Sequence, residues 1–520
     1  MDPSPPARTQ PAGISNTRKR IVWNDESIIK YQEVLLDTLS CLRKRWLDPA
    51  SKSSVSLLLK LTSDVLSSAA SSTNDTIALS EAKEVKSKKI PKDIKRSLNT
   101  LKRKSKVYKR FSNSSPLYSS IRNTDLKVAK ANHRKTMRRF QEAGCTAHAK
   151  KMFSFLSSGG PVYKKIRSLK ASSVEQIQFL KVGNEIFHGN DVKIGFYDSI
   201  HNLKTNTNAN EEMRNGVIDY REDYKNILDI CKNKRDLPNI TLVQSTKIIN
   251  QMKPQVNDFY SISTRHYINA GKAGLEHFNY LLNAIIDDVN LASIEELNSC
   301  YALLLHKGHG KPRTVDKSYR TISTCPMLSK ALDLYIHDLH VDKWNLQQAP
   351  TQYQGEGSSH ELAALLVTEI VQHSLYTLKE PVYLLFLDAQ SAFDAVVPEL
   401  LVRNLYLAGM DGNTTNFMDH RLTNRLTYLD WDRNIMGPIK DEKGLEQGGG
   451  NSSELYKVYN NDQLKIAQNS GQGVDLGNCL LISAVGLADD GVISSNKISK
   501  LSNILYLTVD YCKKYSVTQL

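Results

Sequence analysis

The stretch that most constrains how this 520-residue chain can fold runs from Leu480 to Ser495. An apolar run, Leu480 to Leu487, meets two adjacent carboxylates, Asp489 and Asp490; Gly491 offers a turn, and Val492 and Ile493 resume an apolar, β-branched pattern. This pattern predicts a β-hairpin whose tip presents carboxylates. A second buried-strand pattern, Val382 to Leu387 (VYLLFL), ends on Asp388. Two strands ending in acids predict a sheet that brings Asp388 and Asp489 together around Mg2+, a hard cation that prefers oxygen ligands. Acid pairs also follow apolar runs for purely structural reasons. Asp287 and Asp288 close the run AIIDD (284–288), where a capping or solvent-facing role is the expectation.

Composition narrows the partner. Apolar residues make up 40% of the chain and charged residues 24%, ordinary for a globular protein, but the net charge of +15 is not ordinary. An excess of that size points to a polyanion, most often nucleic acid. The seven cysteines (Cys41, Cys145, Cys231, Cys300, Cys325, Cys479 and Cys512) are scattered, with no C-x-x-C pair. That argues against a disulfide framework or a zinc knuckle and for a reducing compartment. The N-terminal stretch is Pro-rich without an apolar core, and no apolar run reaches bilayer length. The expectation is a soluble, intracellular protein with no membrane partner.

Along the chain, residues 1–25 read as a disordered tail. Residues 26–235 read as a basic, mostly helical region, with a helix over Ile28 to Trp46 and another apolar set at Val55 to Leu61. Within it, Lys83 to Lys151 carries three basic clusters. The candidate phosphate contacts are Lys102, Arg103, Lys104, Lys109 and Arg110, then Arg134, Lys135, Arg138 and Arg139. Tyr108, Phe140 and Phe153 are candidates for stacking on bases, and the competing reading is a solvated helix surface with core aromatics. Gln176 to Phe187 alternates weakly, as one strand followed by a turn at Gly189. Residues 236–300 form a helical lead-in, and from Cys300 the chain alternates short apolar runs with glycine-rich punctuation, as mixed sheet-and-helix enzymes do.

Four motifs follow in order: YRTIS (Tyr319 to Ser323), FLDAQSAFD (Phe386 to Asp394), GLEQGGG (Gly444 to Gly450) and LADD (Leu487 to Asp490). Their order and spacing resemble those of reverse transcriptases of the non-LTR (LINE-type) retrotransposon kind. The resemblance implies an α+β fold: right-hand polymerase fingers and palm over 301–520, preceded by the mostly helical basic region. It implies RNA-directed DNA synthesis, with an RNA template, a DNA primer or target and dNTP as partners, in the nucleus and cytoplasm. Two Mg2+ ions would serve phosphoryl transfer, held by Asp388, Asp489 and Asp490. Arg320 and one of Lys307 or Lys311 would meet the triphosphate, because an arginine fork donates two parallel hydrogen bonds to phosphate. Phe393 would be the aromatic gate against a ribose 2′-hydroxyl. Gln447 and Gly448 would line the nucleotide, glycine permitting close backbone approach.

Three positions depart from the family pattern: Thr321 and Glu446 replace prolines, and Leu487 replaces an aromatic. Glu446 and Leu487 are expected beside template and primer. The residues after the hairpin, Gly491 to Leu520, are too few for the family's thumb, so a chain truncated after Ala-Asp-Asp is expected. Two rival readings remain. One is a catalytically inactive retroelement fragment that only binds nucleic acid; the other is a different right-hand polymerase, such as an intron maturase or an RNA-dependent RNA polymerase.

Overall fold

Two carboxylates, an Asn and a Ser start the first long helix. Ser27 N donates to Asn24 Oδ1 at 2.8 Å and Asn24 N to Ser27 Oγ at 3.1 Å, while Asp25 and Glu26 place negative charge in the first turn. This is α1, Asp25–Arg45, in a computed structural model that describes the chain except residues 1–18, 22, 46–51, 74–75, 79–91, 112–122, 137–176, 206–217, 233–236, 254–256, 259, 309, 355–357, 390, 432–433, 479 and 515–520. Most of the expected tail lies outside the described residues. The helix buries Tyr31, Leu35 and Leu39, spaced by four, and leaves Ile29 and Val34 exposed, so the buried stripe is narrower than the sequence pattern predicts. Against it packs α2, Lys52–Thr73, through Val55, Leu58 and Leu66.

The chain divides into two compact units, one comprising 1–79 with 177–520 and the other 80–176.

In the larger unit, β1 (Phe179–Val182) and β2 (Glu185–His188) form a hairpin followed by α3, Val192–Lys204. The sequence pattern predicts a single strand here; Gly183, at φ +57°, supplies the turn that splits it. Helix α4, Gly271–Ile286, joins α1 and α2 in the main core. Asp288, the last acid of the AIIDD run, accepts from Asn290 N at 2.9 Å and caps the next short helix, as expected. Then come β3 (Ser299–His306), β4 (Tyr319–Thr324), α5 (Met327–Leu346), α6 (His360–Gln372), β5 (Tyr383–Asp388), α7 (Pro398–Leu407), α8 (Gly412–Leu422), β6 (Leu426–Trp431), β7 (Asn434–Lys440), α9 (Ser452–Gln468), β8 (Ala484–Leu487), β9 (Asp490–Ser495) and α10 (Ile498–Lys514).

Two sheets organise these elements. The first has the order β4–β3–β6–β7, with β3 and β6 parallel and the outer pairs antiparallel. Its Ala302, Leu429 and Ile439 pack on Val192, Phe196 and Ile200 of α3. The second has the order β8–β9–β5, all antiparallel. One face of it, with Leu387, Ala484 and Ile493, packs on Leu464 and Ala467 of α9 and Ile504 of α10. Because side chains alternate along a strand, Asp388 and Phe386 fall on the other face, where Phe386 is 67% exposed.

In the smaller unit, the helix Lys92–Phe111 and a helix over 123–136 are joined by Ser97 Oγ to His133 Nδ1 at 2.9 Å and Lys104 Nζ to Asp125 Oδ2 at 2.7 Å. Leu126 and Ala129 are buried.

Candidate active site

The two acid-bearing strand ends meet as neighbours. In the β9–β5 register Asp490 stands opposite Asp388, and Ala389 N donates to the backbone oxygen of Asp489 at 3.2 Å. The partner across the register is thus Asp490, where the sequence pointed to Asp489. The hairpin turns at Ala488 and Asp489, with Ala488 at φ +58°, a region that costs a residue bearing a Cβ. Gly491, expected as the turn, lies inside β9 opposite Leu387. Gly486, also on the hairpin, lies against α9, where a Cβ would come 2.9 Å from the Leu464 Cδ2 methyl.

Asp388 and Asp490 are exposed, and Asp489 is half-buried. Asp489 and Asp490 line a cleft with Asn460, Gln463 and Thr508. Partial burial, and then the like charges of Asp489 and Asp388, raise the Asp490 carboxyl above the usual range. Among the described residues no three His, Cys, Asp or Glu side chains converge on one point, so these acids are adjacent without being gathered into a finished ligand set. A like-charged group of hard oxygen donors is nonetheless chemically suited to a divalent cation.

Phe393 stands beside this patch. Its ring stacks on Tyr456 of α9, with centroids 5.2 Å apart and planes 27° from parallel. Burial first, and then the Asp489 charge, push the Tyr456 hydroxyl upward. Tyr456 has no signature in the sequence beyond its place on a helix after the glycine-rich motif.

That motif is tied on both sides. Leu445 N donates to the Phe393 oxygen at 2.6 Å, Gly444 N to the Val396 oxygen at 2.6 Å, and Ser323 N to the Gln447 oxygen at 2.8 Å. Gly448, at φ +122°, passes so close to β4 that a Cβ would lie 2.6 Å from the Ser323 oxygen. The close approach predicted for Gly448 is therefore to the chain's own strand. Glu446, expected beside the template, is buried; Arg425 Nη1 lies 3.4 Å from its Oε2. Burial alone would raise its carboxyl, but Arg425 and Arg421 bring it below the usual range. Glu446 is thus the carboxylate paired with buried Arg425, while Arg421 is held by Asp333 at 3.1 Å.

Arg320 is exposed on β4 opposite Leu305, Lys311 is exposed, and Lys307 is half-buried with its Nζ on the Lys317 oxygen at 2.9 Å. Burial, then Lys311 and Arg320, lower the Lys307 ammonium, while the Asp394 carboxylate works against them. Lys307 thus feels the charges of Lys311 and Arg320 and, in the opposite sense, of Asp394, the last residue of the FLDAQSAFD motif.

In the smaller unit Lys102, Arg103, Arg134 and Lys135 are exposed, whereas Lys104 is engaged with Asp125. The side chains of Tyr108, Lys109 and Arg110, and all of Arg138, Arg139, Phe140 and Phe153, lie outside the described residues.

Residues 307–518 match the model of the family described as reverse transcriptase (RNA-dependent DNA polymerase). Both acid-bearing strands, Phe393, the glycine-rich motif and Arg320 fall inside that segment. Among solved structures, the chain is similar to telomerase from Candida albicans in complex with the TWJ fragment of telomeric RNA. The identity is 12% and the TM-score 0.30, over 43% of this chain and 42% of that one, so the chain spans about two fifths of that protein. No curated protein matches. No helix among the described residues is long and apolar enough to cross a membrane.

Proposed function

We propose that this chain is an RNA-directed DNA polymerase of the non-LTR retrotransposon kind, adding dNTPs to a primer 3′-hydroxyl on an RNA template. The observation that carries this reading is the adjacency of Asp388, Asp489 and Asp490 beside the Phe393–Tyr456 stack and the strap of Gly444 to Gln447, all within the matched segment. Asp388, Asp489 and Asp490 would hold Mg2+, which when bound lowers the pKa of the attacking hydroxyl and offsets charge on the pyrophosphate. Exposed Arg320 meets the triphosphate, with Lys311 and Lys307 adding positive potential. Phe393, held by its stack on Tyr456, stands against a 2′-hydroxyl and favours deoxynucleotides. The exposed Lys102, Arg103, Arg134 and Lys135 of the smaller unit contact phosphates of RNA or target DNA.

Primer extension on an RNA template, with Mg2+ and dNTPs, tests this directly. The wild-type chain incorporates, and Asp489→Asn loses incorporation while RNA affinity stays the same. RNA bound without incorporation by the wild type would instead favour an inactive nucleic-acid-binding fragment. Incorporation unchanged in Asp489→Asn would remove the assigned role of the acids.

A further inference from the structure

The matched segment begins at residue 307, yet one side chain from well before it packs on the strap that leads into the glycine-rich motif. Lys204 ends α3, and its Nζ lies 3.0 Å from Asp441 Oδ2, the two side chains being 3% and 0% exposed. Its backbone oxygen accepts from Glu442 N at 3.0 Å and Lys443 N at 3.2 Å. A Cβ on Gly444 would come 3.2 Å from the Lys204 Nζ and 3.3 Å from the Asp394 Cα. Residues 441 to 444 are therefore clasped from both the backbone and the side chain of one lysine. The strap continues from there through Leu445 N on the Phe393 oxygen to the Gln447 oxygen on Ser323 N, next to the strand of Arg320.

From this wiring we infer that Lys204 is a positioning residue for the nucleotide site: it fixes the strap of Asp441 to Gln447 against Phe393 and Asp394. This role rests on the polymerase reading proposed above. A lysine buried at this depth is costly unless paired, and Asp441 is the carboxylate that pairs it. Asp394 is buried with its backbone against Gly444 of the same clasp; burial raises its carboxyl and the Lys204 charge works against that. Helix α3 is itself anchored by Phe196 and Ile200 on the four-stranded sheet, so the pin has a rigid base. Lys204 touches neither nucleotide nor metal in this arrangement. It acts through the strap.

Because Lys204→Met alone leaves Asp441 buried without a partner, the informative variant is Lys204→Met with Asp441→Leu, which removes both charges at similar volume. Hydrogen exchange of the full chain without substrate reads the clasp itself: faster exchange at the amides of Gly444 and Leu445, with the sheet amides unchanged, is the expected result. Steady-state primer extension then reads its use. The double variant should raise the KM for dNTP and weaken dNTP-over-rNTP discrimination, with kcat/KM down about ten- to a hundredfold, as misplaced positioning groups cost, while RNA affinity holds. Exchange and kcat/KM both equal to wild type in the folded double variant would overturn the inference. Absence of incorporation by the wild type is a failure of the polymerase reading and is seen before any variant is made; the exchange result still decides whether Lys204 fixes the strap.

Discussion

Two groups of carboxylates in this chain have opposite surroundings. Asp388, Asp489 and Asp490 sit at strand ends, two exposed and one half-buried, with one another as their charged neighbours. Asp333, Asp394, Asp441 and Glu446 are buried, and Lys204, Arg421 and Arg425 are buried with them. Acidic residues within the motifs contribute to both groups, so an acid in a motif does not by itself mark the chemistry. The position of the cations does. Where the protein supplies its own positive charge, the acid is paired and holds a loop; the Asp490 carboxyl instead faces the like charges of Asp489 and Asp388.

This comparison breaks most visibly in stability. Arg425→Met leaves Glu446 buried without its nearest partner and also removes the donors to the Leu422 and Gly444 oxygens. Breaking one side of a buried pair costs about 3–5 kcal/mol, so the melting temperature should fall steeply, and Arg425→Met with Glu446→Leu should recover much of it. Asp490→Asn goes the other way. It removes a charge that its neighbours oppose, and thermal or urea unfolding should show no loss of stability, or a small gain. Equal destabilisation by the two substitutions would erase the distinction between the groups.

Two of the buried histidines, His266 and His277, provide a third case, with no carboxylate among the described residues paired to either. His266 is pushed down to about 4 by burial, and His277 to about 3 by burial and then by the Arg43 charge. His277 Nε2 lies 3.0 Å from Thr62 Oγ1. Both are depressed in the folded state, so the unfolded chain takes up protons first as the pH drops below about 6.5, the ordinary histidine value. Stability is therefore full above that pH and is lost progressively as the pH falls toward 4 and then 3. Urea unfolding across pH 4–7 checks the slope, and His277→Gln should flatten it. The same slope in the variant would show that other groups dominate acid unfolding.

How much of this was legible in the sequence depends on the range over which each feature is encoded. Asp388, Asp489 and Asp490 were legible because a strand pattern ending in an acid is local, and the register only had to bring two such ends together. The turn was misplaced by a few residues because glycine normally supplies positive φ, whereas here Ala488 takes it and Gly491 lies inside the strand. The Lys204–Asp441 pair spans 237 positions and carries no local pattern at all. Glu446 was misread for a related reason. Next to a glutamine expected at the nucleotide an acid looks exposed, and Arg425, 21 positions earlier and on no recognised motif, is the buried cation that pairs it.

The smallest expected effect applies the same contrast to the basic surface of the smaller unit. Arg134 and Lys135 are exposed, whereas Lys104 holds Asp125 at 2.7 Å and has already spent its charge inside the unit. Arg134→Ala with Lys135→Ala should weaken RNA binding several-fold and lower the slope of log affinity against log salt by about 1 for each phosphate left without its cation. Lys104→Ala should change that slope little, since an exposed ion pair of this kind is worth about 0–1 kcal/mol and frees Asp125 when it goes. Fluorescence anisotropy over a salt series measures both. If Lys104→Ala lowers the slope as much as the exposed pair does, then nucleic acid displaces Asp125 on binding, and a cation's partner in the free protein is a poor guide to its use in the complex.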